Sequence, residues 1–217
     1  MKLSDETIVI MKNMITINPS LYVNVGNQLR TISPQKTIIC SAEVDESFDT
    51  PFGIYNLGQL ISVMSLFETP DIELDDKFLT VSNDSASVQY YYTDSRMITQ
   101  PPAKELVLPD SLISFKISQD IIKRSMMAAN VLQLAEWCVE ADGSNLYIVV
   151  QDIKNPTGNK FRVKLDDTDK EFNIVFKVEN MRFLPKNYSV TISERGLSHF
   201  TTDDGKLNYW IATESRK

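Results

Sequence analysis

Two stretches of this chain begin like a β-strand and continue as a helix, and they lie at the middle of each half. The first is FGIYNLGQLISVMSLF at residues 52–67, and the second is FNIVFKVENMRFLP at residues 172–185. Setting Phe52 against Phe172 also brings VQYYYT opposite LNYWIAT near the end of each half. Self-similarity at a fixed spacing is typical of an internal duplication. The sequence therefore predicts two similar β-rich domains.

The other elements follow the same order in both halves. In the first half, Ser4 is a candidate N-cap of a helix whose apolar residues recur at helical spacing up to Met14. In the second half, Ser118 has the same position before SQDIIKRSMMAANVL, and a later short helical turn stops at Pro185. Short strand-like segments separated by Asn, Gly, Pro and Ser fill the rest. The fold class predicted is α+β, with helices covering one face of mostly antiparallel sheets.

A proline-containing linker separates the halves. The segment ITQPPAKELVLPD carries three prolines, which remove backbone donors and hold the chain extended. We place an N-terminal domain at 1–98, a linker at 99–110 and a C-terminal domain at 111–217.

The net charge of −7 by itself argues against binding of nucleic acid, since phosphate binding depends on Lys and Arg. The 22 basic residues can still form a positive surface if they gather on one face. Several lie on or beside the predicted helices, whereas the acidic residues cluster in turns. The candidates are Lys2, Lys12, Lys123, Arg124, Lys177 and Arg182. The predicted second helix, NLGQLISVMSLF, carries no positive charge at Asn56, Gln59, Ser62 or Ser65. An ordinary solvated helix surface is the competing interpretation.

Two predicted strands have the character of sheet edges. They are SVQYYYT, which ends the first half, and KFRVKL in the second. An exposed edge invites pairing with another chain. If the edge of one half pairs with the other edge of a neighbouring copy, the contact is head-to-tail and closes into a ring when the rotation divides a full turn. The candidate interface residues are Val88, Tyr90, Tyr92, Phe161, Val163 and Leu165.

Residues for catalysis or metal binding are sparse. The single histidine, His199, lies in a strand-like segment with no Ser, Asp or Cys partner implied by spacing. Cys40 and Cys138 are expected to be buried, reduced thiols, and no phosphate-binding loop or Cys-x-x-Cys pair occurs. We therefore expect no enzyme, no metal and no cofactor. Without a signal-peptide pattern or an apolar run long enough to span a bilayer, we expect a cytoplasmic protein.

The segments MKLS, MKNMITIN, IYNLGQLISVMSL and FNIVFKVENMRFLPKNYSVTI resemble the DNA polymerase sliding clamps of T-even-type bacteriophages. The resemblance covers nearly the whole chain, and the third and fourth segments are its most specific parts. It implies a duplicated sliding-clamp fold, three subunits in a closed ring, helices lining the hole and no active site.

The resemblance also implies partners and a place of action. Such a ring encircles duplex DNA, is opened by a clamp-loader ATPase, and tethers the replicative polymerase through its C-terminal peptide. It also engages late-transcription factors, all in the cytoplasm of the infected bacterial host. The six basic candidates would then face DNA. A pocket for the polymerase peptide would lie near the linker and a C-terminal strand. Its candidates are Leu106, Val107, Leu108, Tyr209, Trp210 and Ile211, which have a role in the hydrophobic core as their alternative interpretation.

Two other functions stay open from the residues alone. A β-rich oligomeric phage structural or assembly protein would share the edge strands and need no basic helical face. A monomeric binding module would share the fold and lack the ring.

Overall fold

The computed structural model describes residues 1–104, 106–108, 110–155 and 157–214. It divides into two compact units, Met1–Glu105 and Leu106–Lys217. The division falls within the predicted linker, of which Glu105 and Pro109 lie outside the described residues.

Unit 1 begins with a helix and alternates short strands with a second helix. Its helices are α1 (Asp5–Ile17) and α2 (Leu57–Met64), and a 3₁₀ turn covers Ser95–Met97. Its strands are β1 (Leu21–Val23), β2 (Gly26–Ile32), β3 (Ile38–Phe48), β4 (Phe52–Ile54), β5 (Asp71–Leu74), β6 (Phe78–Ser82) and β7 (Ser87–Tyr91). β1 pairs with β4, β2 pairs with β3, and β5, β6 and β7 form an antiparallel meander.

Unit 2 repeats this order. Its helix is α3 (Gln119–Leu132), and a 3₁₀ turn covers Val178–Asn180. Its strands are β8 (Ile113–Ile117), β9 (Glu136–Asp142), β10 (Asn145–Gln151), β11 (Phe161–Asp167), β12 (Glu171–Lys177), β13 (Tyr188–Ile192), β14 (Leu197–Thr201) and β15 (Leu207–Ala212). One sheet has the order β11-β10-β9-β12. In the other, β13 lies between β8 and β14, and β14 also pairs with β15.

The internal duplication is visible in the pairing as well as in the order of elements. In unit 2, β8 pairs with β13. In unit 1 the equivalent pairing is made by Met1, whose amino group donates to the Ile72 carbonyl at 2.6 Å and whose carbonyl accepts from Ile72 N at 2.7 Å. The repeat predicted from the sequence is therefore confirmed.

The two units differ at their second helix. Unit 1 has α2, capped by the Asn56 side chain, which accepts from Gln59 N. In unit 2 the predicted short helical turn is a single 3₁₀ turn, Val178–Asn180, which has no side-chain cap. Pro185 follows a few residues later and could not donate to a continuing helix. Unit 2 therefore presents one helical face where unit 1 presents two.

Buried aromatic side chains form the core of unit 2. The Phe176 ring packs against Trp137 on β9 and Phe200 on β14, with ring centroids 5.6 and 6.2 Å apart. Because these rings come from both sheets, they hold the sheets together. Cys138 is also buried, and burial raises the pKa of its thiol to about 11, so it is protonated at neutral pH. Cys40 and Cys138 are both buried and form no disulfide, as predicted.

Across the described ranges, no helix is sufficiently long and apolar to cross a bilayer.

Candidate nucleic-acid interface and sheet edges

The orientation of α3 is fixed by one buried hydrogen bond. Trp137 Nε1 donates to Ser125 Oγ at 3.0 Å, and both residues are fully buried. Since Ser125 faces the sheet together with Ile122 and Ala129, the preceding residues Lys123 and Arg124 project to the exposed side. The structure thus brings two predicted cations together on one exposed helix face. Arg124 Nη1 lies 3.4 Å from Asp120 Oδ2, one turn earlier, in an exposed ion pair that contributes little stability.

α1 presents a third cation. Its buried face consists of Thr7, Ile10, Met11, Met14 and Ile17, and Lys12 is exposed on the opposite side. Lys2 is also exposed, but it precedes the helix beside the strand-paired Met1. Asp5 and Glu6 lie in the first turn, where their negative charges interact favourably with the helix dipole. The same charges weaken the positive potential around Lys12.

α2 has an uncharged exposed face. Gln59, Ser62 and Ser65 are exposed along it. Tyr90 on β7 donates its hydroxyl to the Asn56 carbonyl at 3.0 Å, which ties the strand to the start of this helix. The sequence-based expectation of a cation-free second helix is met.

Lys177 and Arg182 lie differently from the cations on α1 and α3. Phe176 pairs with Trp137 on the side of the sheet that contacts α3, and successive side chains of a strand point to opposite faces. Lys177 therefore projects from the face away from α3, where its Nζ lies 3.7 Å from Glu214 Oε1. Arg182 is exposed beyond the 3₁₀ turn and donates through Nε to the Glu179 carbonyl at 2.7 Å. Strand alternation in FNIVFKV was the signal in the sequence that separates Lys177 from the helical set.

The two predicted edge strands are edges of their sheets. β7 ends the sheet β5-β6-β7, and β11 ends the sheet β11-β10-β9-β12. Along both strands, half-buried and exposed residues alternate. The half-buried set on β11 is Phe161, Val163 and Leu165, and on β7 it is Val88 and Tyr90. Each strand thus combines an open backbone edge, as far as the described residues show, with partly exposed apolar side chains.

Tyr92 has a different environment from the other interface candidates. It follows β7, and its ring stacks on Phe52 with centroids 5.0 Å apart. Burial raises the pKa of its phenol to about 12. Its side chain therefore packs into the interior of unit 1, whereas Val88 and Tyr90 lie on the edge strand itself.

Comparison with known proteins finds relatives that are similar over nearly the whole chain. The family described as gp45 sliding clamp, C terminal, matches residues 114–215. The sliding clamp of Vibrio phage KVP40 is 28% identical over 99% of this chain and 100% of its own length. That of Escherichia phage RB69 is 26% identical over 99% of this chain and 97% of its own length. The chain is thus similar to phage sliding clamps over nearly its whole length.

The same fold also occurs in more distant proteins. PCNA from A. fulgidus, solved with the C-terminal region of FEN-1, superposes with a TM-score of 0.71 at 13% identity. The match covers 100% of this chain and 98% of that one. At this identity the likeness establishes the duplicated clamp architecture.

Three of the six residues expected to line a peptide pocket are buried in the structure. Tyr209, Trp210 and Ile211 on β15 are buried, and the Tyr209 ring packs on Tyr188 at 6.1 Å. These three residues therefore belong to the core, the alternative that the sequence left open. Leu106 and Leu108 are half-buried, and Val107 is 84% exposed.

His199 and the acidic clusters show no arrangement for catalysis. The His199 ring stacks on Trp210 with centroids 4.7 Å apart, and its Nε2 lies 2.9 Å from Asn208 Oδ1. Within the part of the chain that the structure describes, no group of three or more His, Cys, Asp or Glu side chains is placed to hold a metal ion.

Sequence reasoning missed a large groove in unit 2. It runs beside β12 and has a volume of about 1420 Å³. Its walls include Leu112, Ile153, Val175, Arg195, Thr213 and Glu214. These residues come from segments far apart in the chain, so no local pattern in the sequence indicates the groove.

Proposed function

We propose that three copies of this clamp close into a ring around duplex DNA and tether the replicative polymerase during processive synthesis. The observation that carries the proposal is the position of Lys12, Lys123 and Arg124. In a chain with a net charge of −7, all three are exposed on helices, opposite the buried helix faces. A positive helical surface on an acidic molecule fits a DNA-facing lining.

Ring closure would use the two sheet edges. β7 belongs to unit 1 and β11 to unit 2, so pairing between them across copies is head-to-tail. Such a contact does not use up both edges of one copy and therefore propagates until it closes. Val88, Tyr90, Phe161, Val163 and Leu165 would supply apolar contacts beside the paired backbones, and Tyr92 would support β7 from within unit 1.

Contact with DNA would be loose and independent of base sequence. Long cationic side chains facing phosphates give a salt-sensitive attraction, and encirclement removes the need for tight binding. Lys12, Lys123 and Arg124 are the main candidates, with Lys2 and Arg182 at the margins. We do not assign Lys177 to this set, because it projects from the sheet face away from α3.

The remaining partners follow from the family. The polymerase would dock a C-terminal peptide near Leu106, Val107 and Leu108, and a clamp-loader ATPase would open the ring. Engagement of late-transcription factors is a further role of the same ring. The clamp would act without catalysis or cofactor, in the cytoplasm of the infected bacterial host.

The test combines native mass with a replication assay. We expect three subunits around a central hole, and stimulation of processive synthesis on primed circular DNA by the matching polymerase and loader. The double variant Lys123→Glu/Arg124→Glu should keep the trimer mass and lose loading or processivity, since two cations per subunit become anions.

The matched control places the same change of charge on exposed turn residues, as Lys36→Glu/Lys206→Glu. It should retain processivity. Equal processivity in the two double variants would remove Lys123 and Arg124 from the DNA-facing surface. A wild-type protein that assembles and never stimulates synthesis would instead favour a structural phage protein.

A further inference from the structure

Tyr91 at the end of β7 exposes a large aromatic ring on the side of the strand that faces away from the core. Its neighbours Val88 and Tyr90 lie opposite the buried Val81 and Leu79 on β6, which marks their side as the inner face of the strand. Because successive side chains of a strand alternate, Tyr91 lies on the outer face, where it is 65% exposed. Tyrosine and arginine are enriched among the residues that contribute most to binding between proteins. The ring is therefore a candidate contact with another chain.

The outer face of β11 carries a row of cations. Val163 lies opposite the buried Ile148 on β10, so it belongs to the inner face of β11. Arg162 and Lys164 flank Val163 and therefore project from the outer face. Lys160, just before the strand, continues the same alternation, and all three cations are exposed.

The guanidinium of Arg162 is held in place by its own sheet on one side only. Its Cζ lies 3.6 Å from the centre of the Tyr147 ring, and its Nη2 lies 3.7 Å from Glu140 Oε1 and 3.5 Å from Asp142 Oδ2. The Arg162 side chain nevertheless remains 46% exposed. A guanidinium that is already ordered on one aromatic ring can receive a second ring on its open side with little further loss of side-chain entropy.

Strand alternation determines which residues would meet if β7 of one copy paired with β11 of the next. We consider an antiparallel pair, like the neighbouring strands within each sheet. With the inner faces aligned, Tyr90 lies opposite one of the three inner residues Phe161, Val163 and Leu165. Tyr91 then lies opposite one of the three outer cations, which are in the same order Lys160, Arg162 and Lys164. In the middle register, which places Tyr91 opposite Arg162, all residues of β7 (Ser87–Tyr91) pair within β11 (Phe161–Asp167).

The same outer faces disfavour pairing of like edges. Two β11 strands side by side would bring Arg162 and Lys164 of one copy against the same cations of the other, and like charges directly opposite destabilise a sheet. Two antiparallel β7 strands would place Tyr91 beside the polar Ser87 and Gln89, which offer no cation. Only the pairing of β7 with β11 gives the ring a cationic partner.

We propose that the outer faces of the two edge strands select the head-to-tail contact between copies, with Tyr91 of one copy packing against Arg162 of the next. This proposal rests on the ring proposed above and adds the residues that decide which edge meets which. Arg162 would then be covered by aromatic rings on both sides, and a cation–π contact gains strength when water is excluded. The apolar inner faces would supply affinity, and the outer pair would supply specificity.

The first test compares two substitutions of Tyr91 in the full-length protein. Tyr91→Leu keeps an apolar side chain and removes the aromatic face, whereas Tyr91→Phe keeps the face and is the matched control. Three contacts close the ring, so a modest loss at each should raise the concentration at which half of the chains are trimeric about tenfold. Tyr91→Phe should assemble like the wild type. Sedimentation equilibrium over a concentration series measures this midpoint.

A double-mutant cycle then assigns the loss to Arg162. Arg162→Met alone should also weaken assembly, and it should add little in the Tyr91→Leu background, because the contact is already absent there. Equal assembly of Tyr91→Leu and Tyr91→Phe, or additive effects of Tyr91→Leu and Arg162→Met, would overturn the proposal and leave the ring standing. A wild-type protein that stays monomeric would overturn the ring and this contact together.

Disulfide formation tests the direction of pairing without altering Tyr91 or Arg162. Copies with Gln89→Cys are assembled together with copies carrying Lys164→Cys, since these two positions lie opposite each other in the middle register. The native Cys40 and Cys138 are buried and should not interfere. We expect covalent dimers after oxidation of the mixture and none from either variant alone. Dimers from a single variant, or their absence from the mixture, would contradict the proposed pairing.

Discussion

At the scale of single residues, Glu46 on β3 stabilises the first turn of α1 through hydrogen bonds. Its carboxylate accepts from the Ser4 backbone N–H and, at 2.5 Å, from the Thr7 hydroxyl. Ser4 Oγ also accepts from Thr7 N, so the cap predicted at Ser4 is confirmed and is reinforced from a distant strand. Partial burial raises the pKa of Glu46, but the hydrogen bonds from Thr7 and Ser4 outweigh it and leave the pKa below its usual value.

A lowered pKa in the folded state means that the charged carboxylate stabilises the fold. This contribution is present above the unfolded pKa and is lost as pH falls through the lower folded value. We expect Glu46→Gln to reduce the free energy of unfolding at pH 7 by about 0.5–1 kcal/mol, with solvent screening included. Urea unfolding at neutral and at acidic pH measures this, and the difference from wild type should shrink in acid. Glu43→Gln, an exposed change on the same strand, is the matched control, and at neutral pH it should unfold like the wild type.

Two glycines should respond in opposite directions to the same substitution. At Gly53 a Cβ would lie 2.6 Å from the Thr93 carbonyl oxygen, a backbone atom that cannot easily move. Gly53→Ala should therefore destabilise unit 1 by about 1–3 kcal/mol. At Gly58 on α2 the nearest atom would be 3.4 Å away, so Gly58→Ala should stabilise by up to about 1 kcal/mol through helix propensity. Thermal unfolding of the two variants compares them, and a stabilised Gly53→Ala would show that Thr93 does not pack on β4.

At the scale of elements, the edge strands have the most consequence for function. β11 carries Phe161, Val163 and Leu165 as half-buried residues on one face. On its other face Arg162 lies over the Tyr147 ring at 3.6 Å and within 3.7 Å of Glu140 Oε1. One face of the strand is thus held by its own sheet through Arg162. The proposed interface between copies would use the half-buried apolar residues of the opposite face.

Val163→Asp should break the proposed interface between copies. A carboxylate in an apolar contact without a partner costs several kcal/mol, which is enough to dissociate a trimer at micromolar concentration. We expect a monomer by native mass spectrometry, with an unchanged far-ultraviolet circular dichroism spectrum. Val25→Asp should remain trimeric as the control. A trimer in Val163→Asp would place the interface on other strands.

At the scale of the whole molecule, topology and charge have separate roles. The chain is acidic overall, and the exposed cations of α1 and α3 are few. A ring that depended on these charges alone would release DNA as salt rises. A closed ring instead stays on circular DNA regardless of charge, because leaving requires opening an interface.

Salt should therefore act differently on circular and linear DNA. At 1 M salt the screening length falls to ~3 Å, which removes most of the attraction between exposed cations and phosphates. We expect loaded clamp to remain on closed circular DNA at this salt and to leave the same DNA once it is cut. Gel filtration of the loaded complex before and after cutting measures retention. Equal loss from both forms would contradict encirclement.

The sequence by itself determined the duplication, the two N-caps, the burial of the cysteines and the two edge strands. Each depends on local periodicity or on a pairing pattern within one segment, such as the apolar recurrence before Met14 or the alternation in KFRVKL. Family resemblance added the assignment as a clamp.

Only the tertiary structure decided which side chains these elements expose. Tyr209, Trp210 and Ile211 have the composition of a binding pocket, yet they are buried, because β15 packs its aromatic residues against β13 and β14. Lys177 does not lie with the cations of the helices, because its side chain projects from the sheet face away from α3. The groove beside β12 is lined by residues from segments far apart in the chain, and local sequence patterns carry no information about such long-range contacts.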